Sequence, residues 1–162
     1  MIYIAVDPGS TSGAITVMQT SDDNVVRLLD IHMMPKTEQD IKNVFSDLQV
    51  NGNESILPNI KAIIESVHAF PGQGVTSMFS FGRNYGFLRG VLVSLRIPFI
   101  EVTPQKWMKY FGFKRNKNED KKKHKLRILQ KAQNLYPHPS VVLQTADSLM
   151  LAEFLRLTDN RK

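Results

Sequence analysis

Three carboxylates stand where an acid is costly or conspicuous. Asp7 ends the apolar run Ile2-Tyr-Ile-Ala-Val6 and is followed at once by Pro8 and Gly9. Glu65 follows Ala62-Ile63-Ile64 with no polar residue between. Asp147 opens the apolar stretch through Leu149, Met150, Leu151 and Ala152. A carboxylate set in an apolar run loses hydration and is retained where it is paired or binds a metal. Taken singly, Glu65 also reads as a surface-facing residue near a strand end. Asp147 also reads as an acid complementing a helix N-terminus. A buried strand has no structural need for Asp7 at its tip, whereas a divalent-metal or phosphate-handling site does. Together the three are hard oxygen donors with no Cys in the chain and no His beside them, a set that suits Mg²⁺ or Mn²⁺. Two such ions per site would activate a water and stabilise the leaving oxygen in phosphodiester cleavage.

The elements that must bring these acids together follow from periodicity. Ile2, Ile4 and Val6 alternate with Tyr3 and Ala5, which predicts a strand over 2–7. Further strands are predicted over 13–19 and 25–33, with Ser21-Asp-Asp-Asn24 as the turn between them. Thr37 is a candidate cap for a helix over 38–49, with Ile41, Val44, Phe45 and Leu48 on one face and a break at Asn51-Gly-Asn53. A fourth strand is predicted over 60–67, a long helix over 75–95 and a fifth strand over 97–102. Pro104 is well placed to start a short helix. Leu126, Leu129, Ala132 and Leu135 predict a helix over 119–135, ended by Pro137 and Pro139. A last helix is predicted over 144–157. This is an α/β pattern in one domain, with a five-stranded mixed sheet. The first three strands are antiparallel, and the last two return through helices to lie parallel to the first. Ligand sites in such sheets lie at strand carboxyl ends, where Asp7 and Glu65 fall.

Charge is concentrated in one segment. The net charge is +6, yet residues 114–131 hold nine basic and two acidic residues, so the rest of the chain sums to −1. Lys114, Arg115, Lys117, Lys121, Lys122, Lys123 and Lys125 form an electrostatic footprint for a polyanion, with a solvated helix face as the plainer alternative. Lys106 is a further phosphate contact, and Trp107 beside it a buried residue. Without cysteines, disulfides and thiolate chemistry are excluded. No apolar run reaches the ~20 residues of a spanning helix, and no signal peptide is evident, so a soluble cytoplasmic protein is expected.

Asp7-Pro8-Gly9 at a strand end, the strand acid Glu65 and Ala146-Asp147 opening an apolar helix resemble RuvC-type Holliday junction resolvases of the ribonuclease H-like superfamily. Glu65-Ser-Val-His-Ala-Phe-Pro-Gly-Gln-Gly74, Ser77-Met-Phe-Ser-Phe-Gly-Arg-Asn-Tyr-Gly86, Val102-Thr-Pro-Gln-Lys-Trp107 and Asp120-Lys121 are similar to the phage and organellar branch in particular. The resemblance spans nearly the whole chain. It implies a homodimeric, Mg²⁺-dependent endonuclease of bacterial or phage-infected cells that nicks four-way DNA junctions in symmetric pairs. It places metal ligands and catalysis at Asp7, Glu65 and Asp147. It implies an aromatic wedge near His68 and Phe70, and a dimer contact on the long helix, where Gly82, Gly86 and Gly90 form a smooth stripe. The family usually carries a fourth acid or His three or four residues before the last one. Here those positions are Leu143 and Gln144, and only Gln144 offers an oxygen; His124 and Glu153 are other donors, Glu153 reading as structural.

Three alternatives stand beside this reading. One is an RNA-processing nuclease of the same fold. Another is a catalytically weak junction-binding protein. The third is a sugar-kinase-like phosphate hairpin, which needs two such domains where this chain has length for one.

Overall fold

The computed structural model describes residues 1–9, 12–50, 59–68, 72–115 and 118–159. Five strands, β1 (Ile2–Asp7), β2 (Ala14–Thr20), β3 (Val26–Met33), β4 (Ile60–Glu65) and β5 (Phe99–Val102), form one sheet in the order β3-β2-β1-β4-β5. The first three pair antiparallel, and β4 and β5 lie parallel to β1, as expected. Among the described residues there are five helices: α1 (Glu38–Val50), α2 (Val75–Ser94), α3 (Pro104–Tyr110), α4 (Lys121–Leu135) and α5 (Ala146–Thr158).

The alternation seen in β1 divides between two cores. Tyr3 and Ala5 face a cluster built with α3, α4 and α5, while Ile4 and Val6 face one built with α1 and α2. Helices therefore cover both faces of the sheet, and its central strands are apolar on both sides. Helix α5 is buried continuously from Ser148 to Leu155, which explains why its sequence is apolar all round.

Local chemistry sets the element ends. Thr37 caps α1: its Oγ1 accepts from the Asp40 N–H at 3.1 Å and donates to the Asp40 carboxylate at 2.6 Å. Strand β4 is shorter than expected, ending at Glu65. Strand β5 begins only at Phe99, because Pro98 has no N–H for the ladder, although its carbonyl accepts from Ala62. Helix α4 differs more. Its buried residues are His124, Ile128 and Ala132, four apart, whereas Leu126 and Leu135 are exposed. Of the four residues in the predicted recurrence, Ala132 is buried and Leu129 packs against the core, while Leu126 and Leu135 are not core positions. The expected break at 51–53 lies outside the described residues.

The turn joining β1 to β2 is tight. Gly13 N–H donates to the Gly9 carbonyl at 2.8 Å, and the Gly13 carbonyl accepts from Met34 N–H at 2.7 Å. A Cβ on Gly13 would collide with the carbonyls of Gly9 and Asp7, so only glycine fits there.

Candidate active site

The β1 and β4 ends and the start of α5 meet at one corner of the sheet. Parallel pairing of β1 with β4 sets Asp7 and Glu65 at neighbouring carboxyl ends. Helix α5 packs across β1, β2 and β4. Its first turn is pinned by a hydrogen bond between the Thr16 and Ser148 hydroxyls, 2.8 Å long and fully buried. Asp147, one residue earlier, is thereby brought to the two strand acids.

The three carboxyls repel one another. Burial pushes the Asp7 carboxyl up to about 6, with the Asp147 charge adding to it and the Gly9 N–H and Lys125 opposing. Burial pushes Glu65 up to about 7, with Asp7 next, against a hydrogen bond from Trp107. Asp147 is raised by burial and eased by Lys125 and His124. Such mutually unfavourable acids are what a cation site holds.

Each acid has its own tether. The Gly9 N–H approaches Asp7 Oδ1 at 3.5 Å. Trp107, fully buried, donates its Nε1–H to Glu65 Oε1 at 2.7 Å. Lys125 Nζ stands 3.7 Å from Asp147 Oδ2. Among the described residues no three acids or histidines are gathered at ligand distance. The carboxyls are close enough for the Asp147 charge to raise Asp7 and for the Asp7 and Asp147 charges to raise Glu65. Their chemistry, all oxygen and net negative, fits a hard divalent cation.

A family model described as poxvirus A22 protein matches residues 1–156. The chain belongs to the poxvirus A22 protein family of Holliday junction resolvases. Two solved structures of that kind of fold are similar. Thermus thermophilus RuvC in complex with Holliday junction substrate aligns with a TM-score of 0.63 at 12% identity, over 98% of this chain and 97% of that one. Fowlpox virus resolvase with its substrate Holliday junction DNA aligns with a TM-score of 0.54 at 19% identity, over 98% and 99%. No curated protein matches the chain in sequence. The fold is thus ribonuclease H-like, of the RuvC type.

In this A22-family chain the other expected residues fall into distinct places. Gln144 is exposed in the turn ahead of α5, which begins at Ala146. The shared-face argument for residues three apart holds within a helix, and Gln144 lies outside one. Glu153 is structural, as expected: it is buried, takes a two-pronged ion pair from Arg156 at 2.7 Å and accepts from Tyr136 Oη at 2.7 Å.

The basic segment divides into anchors and exposed charges. Arg127 pairs with the Glu119 carboxylate at 2.8 Å and donates to the Lys114 carbonyl, and Arg115 donates to the Glu119 carbonyl. These bonds clip the loop ahead of α4 onto that helix. Lys106, Lys114, Lys121, Lys122 and Lys123 are exposed. Lys121 lies one turn before Lys125 on the same helix face, so the basic side of α4 runs up to the acids. His68 is exposed at the end of β4 and lines a cleft with Ser77, Phe81 and Tyr85. Phe70 and Lys117 lie outside the described residues. Gly82, Gly86 and Gly90 face open space on the outer side of α2.

Sequence reasoning treats Trp107 only as a core residue and Lys125 only as a phosphate contact. An apolar-sited acid needs a partner, which is the available signal for both, but the partners are far off in the chain.

Proposed function

We propose that this chain is a Mg²⁺-dependent endonuclease, a single nuclease domain that acts as a homodimer and resolves four-way DNA junctions by paired symmetric nicks. One observation carries the reading: Asp7, Glu65 and Asp147 come from three separate elements to one corner, where burial raises all three pKa values and neighbouring carboxylates push Asp7 and Glu65 up further. Bound there, Mg²⁺, for which Mn²⁺ can substitute, would supply an activated water and a charge sink for the leaving oxygen, with two ions per site. The chain's own part is to hold its carboxylates ionised and oriented. Trp107 aims Glu65, Gly9 aims Asp7, and Lys125 balances charge beside Asp147. Gln144 is the candidate further oxygen donor for the second ion.

The exposed lysines of α4, with Lys106, Lys114, Arg115 and Lys117, would neutralise phosphates of the junction arms. His68 and Phe70 would meet the bases at the junction centre. A branched substrate with two equivalent strands calls for two sites at fixed spacing, hence a two-fold dimer. Helix α2 offers the surface: Val75, Phe79 and Val93 are 84%, 72% and 64% exposed on the side that carries Gly82, Gly86 and Gly90. Among the described residues no helix is long and apolar enough to cross a membrane, and a cytoplasmic site of action belongs to the same proposal.

The decisive experiment is a gel cleavage assay on a synthetic four-way DNA junction, with and without Mg²⁺, beside a linear duplex and a structured RNA. Paired nicks in the junction alone, dependent on the metal, are expected. Binding without cleavage would reduce the chain to a junction-binding protein, and preferential RNA cleavage would move it to RNA processing.

A further inference from the structure

Helix α2 touches the acid corner through one side chain that has no part in the proposed chemistry. Asn84 lies on the inner face of α2, with Leu88, Val91 and Leu92 buried further along it. Its Nδ2 donates to the Pro8 carbonyl at 2.8 Å. The two residues are 76 positions apart, and Pro8 is buried.

The peptide that Asn84 holds is the one that faces Asp7. The Pro8 carbonyl and the Gly9 N–H belong to a single planar unit. Asn84 binds the oxygen end, and the hydrogen end points to Asp7 Oδ1 at 3.5 Å. Pro8 has a fixed φ, and residue 7, preceding a proline, is confined to extended backbone. The main freedom left in this segment is rotation of the Pro8–Gly9 peptide plane, and the Asn84 amide stops it. A donor on the carbonyl also polarises the peptide, which strengthens its N–H as a donor.

We propose that Asn84 is a positioning residue: by pinning the Pro8 carbonyl it keeps the Gly9 N–H aimed at Asp7, and so sets that carboxylate for the divalent cation. The same helix also reaches β5, the strand beside β4, where Tyr85 Oη donates to Glu101 at 2.8 Å. Asn84 is the arm of α2 on Asp7.

The inference rests on the metal-dependent nuclease reading, and its test separates the two. Mg²⁺ is titrated against melting temperature, without DNA, for the wild type, Asn84→Leu and Asn84→Gln. Asn84→Leu keeps the size and removes the donor. It should raise the Mg²⁺ concentration for half of the melting-temperature gain about fivefold, the equivalent of one missing hydrogen bond. Asn84→Gln keeps an amide donor on a longer arm and should recover much of the loss. Binding of a four-way junction in chelator should match the wild type, because Asn84 touches no phosphate-facing lysine. Superimposable Mg²⁺ titrations for Asn84→Leu and wild type would overturn the proposal. If the wild type itself shows no Mg²⁺ effect, the metal reading fails, and hydrogen exchange of the segment from Asp7 to Gly13 decides the positioning role. Faster exchange in Asn84→Leu supports it, and unchanged exchange overturns it. Should Asn84→Leu not fold, Asn84→Ser, too short to reach Pro8, takes its place with the same expected outcomes.

Discussion

Stripped of divalent ions, the protein should lose stability as pH rises from about 4 to about 7. The Asp7 carboxyl titrates near 6 in the fold against an ordinary 3.8, and Glu65 near 7 against 4.5. The folded state thus holds these protons more tightly than the unfolded chain. A carboxyl shifted upward contributes stability that is full below its unfolded pKa and is lost as pH passes through the folded value. At about 1.4 kcal/mol per pH unit, either rise alone is worth on the order of 3 kcal/mol. The two groups repel each other and titrate as a coupled pair, so their joint effect is less than twice that. Asp147 shifts in the same direction. For a chain of this length the loss corresponds to roughly 10 °C in melting temperature.

The assay is thermal melting in chelator across this range, repeated with saturating Mg²⁺. Metal binding requires ionised carboxylates, so the gain from Mg²⁺ should grow with pH and offset the loss. Asp7→Asn removes one of the repelling charges and should flatten the metal-free curve. A metal-free melting temperature that stays level or climbs between about pH 4 and pH 7 would refute the claim that these acids are buried together.

The remaining expectations concern cleavage and binding. Asp7→Asn should abolish junction cleavage and leave junction binding largely intact; near wild-type cutting would remove Asp7 from the metal site. Replacing Lys121, Lys122 and Lys123 with Gln should weaken DNA binding, with the slope of log affinity against log salt falling by about one unit for each phosphate no longer neutralised. An unchanged slope would leave this run a solvated face. Trp107→Phe removes the donor on Glu65, whose carboxyl should then rise further, moving the pH dependence of cleavage to higher pH. Without that bond to a charged group, stability should fall by about 1.5–3 kcal/mol at pH values where Glu65 is ionised. Gln144→Asp should lower the Mg²⁺ requirement for cleavage if that position serves a second ion, and a titration without a shift would assign Gln144 to its solvent-facing turn.

The strands and most helices are legible because their signals are local. Alternation in β1, the turn at Ser21–Asn24 and the Thr37 cap each act within a few residues. The face of α4 is only half legible. The recurrence of Leu126, Leu129, Ala132 and Leu135 finds Ala132 and the half-buried Leu129, but Leu126 and Leu135 are exposed, and the helix packs through His124, Ile128 and Ala132, with Glu119 and Arg127 beside the histidine. Which side of a mixed basic and apolar helix turns inward depends on its neighbours, α5 above all, and not on its own composition. The acids are legible for the opposite reason, since a carboxylate among Ile and Ala residues is anomalous at once. Their partners are hidden, because Trp107 meets Glu65 across 42 residues and Asn84 meets Pro8 across 76. Such pairings exist only after β4 has been laid beside β1 and the helices returned over the sheet.

The hydrogen bond from Trp107 to Glu65 has a practical consequence. Trp107 is the sole tryptophan of the chain, and its indole N–H rests on a carboxylate at the acid corner. Indole emission is sensitive to the charge and hydrogen bonding at that nitrogen. The protein therefore carries an intrinsic optical probe on one of its candidate ligands, with no competing tryptophan signal. Protonation of Glu65, arrival of a cation or displacement of β4 by a bound DNA arm would each alter the emitted light, so events at this corner can be timed by stopped-flow fluorescence without labelling either the protein or the DNA.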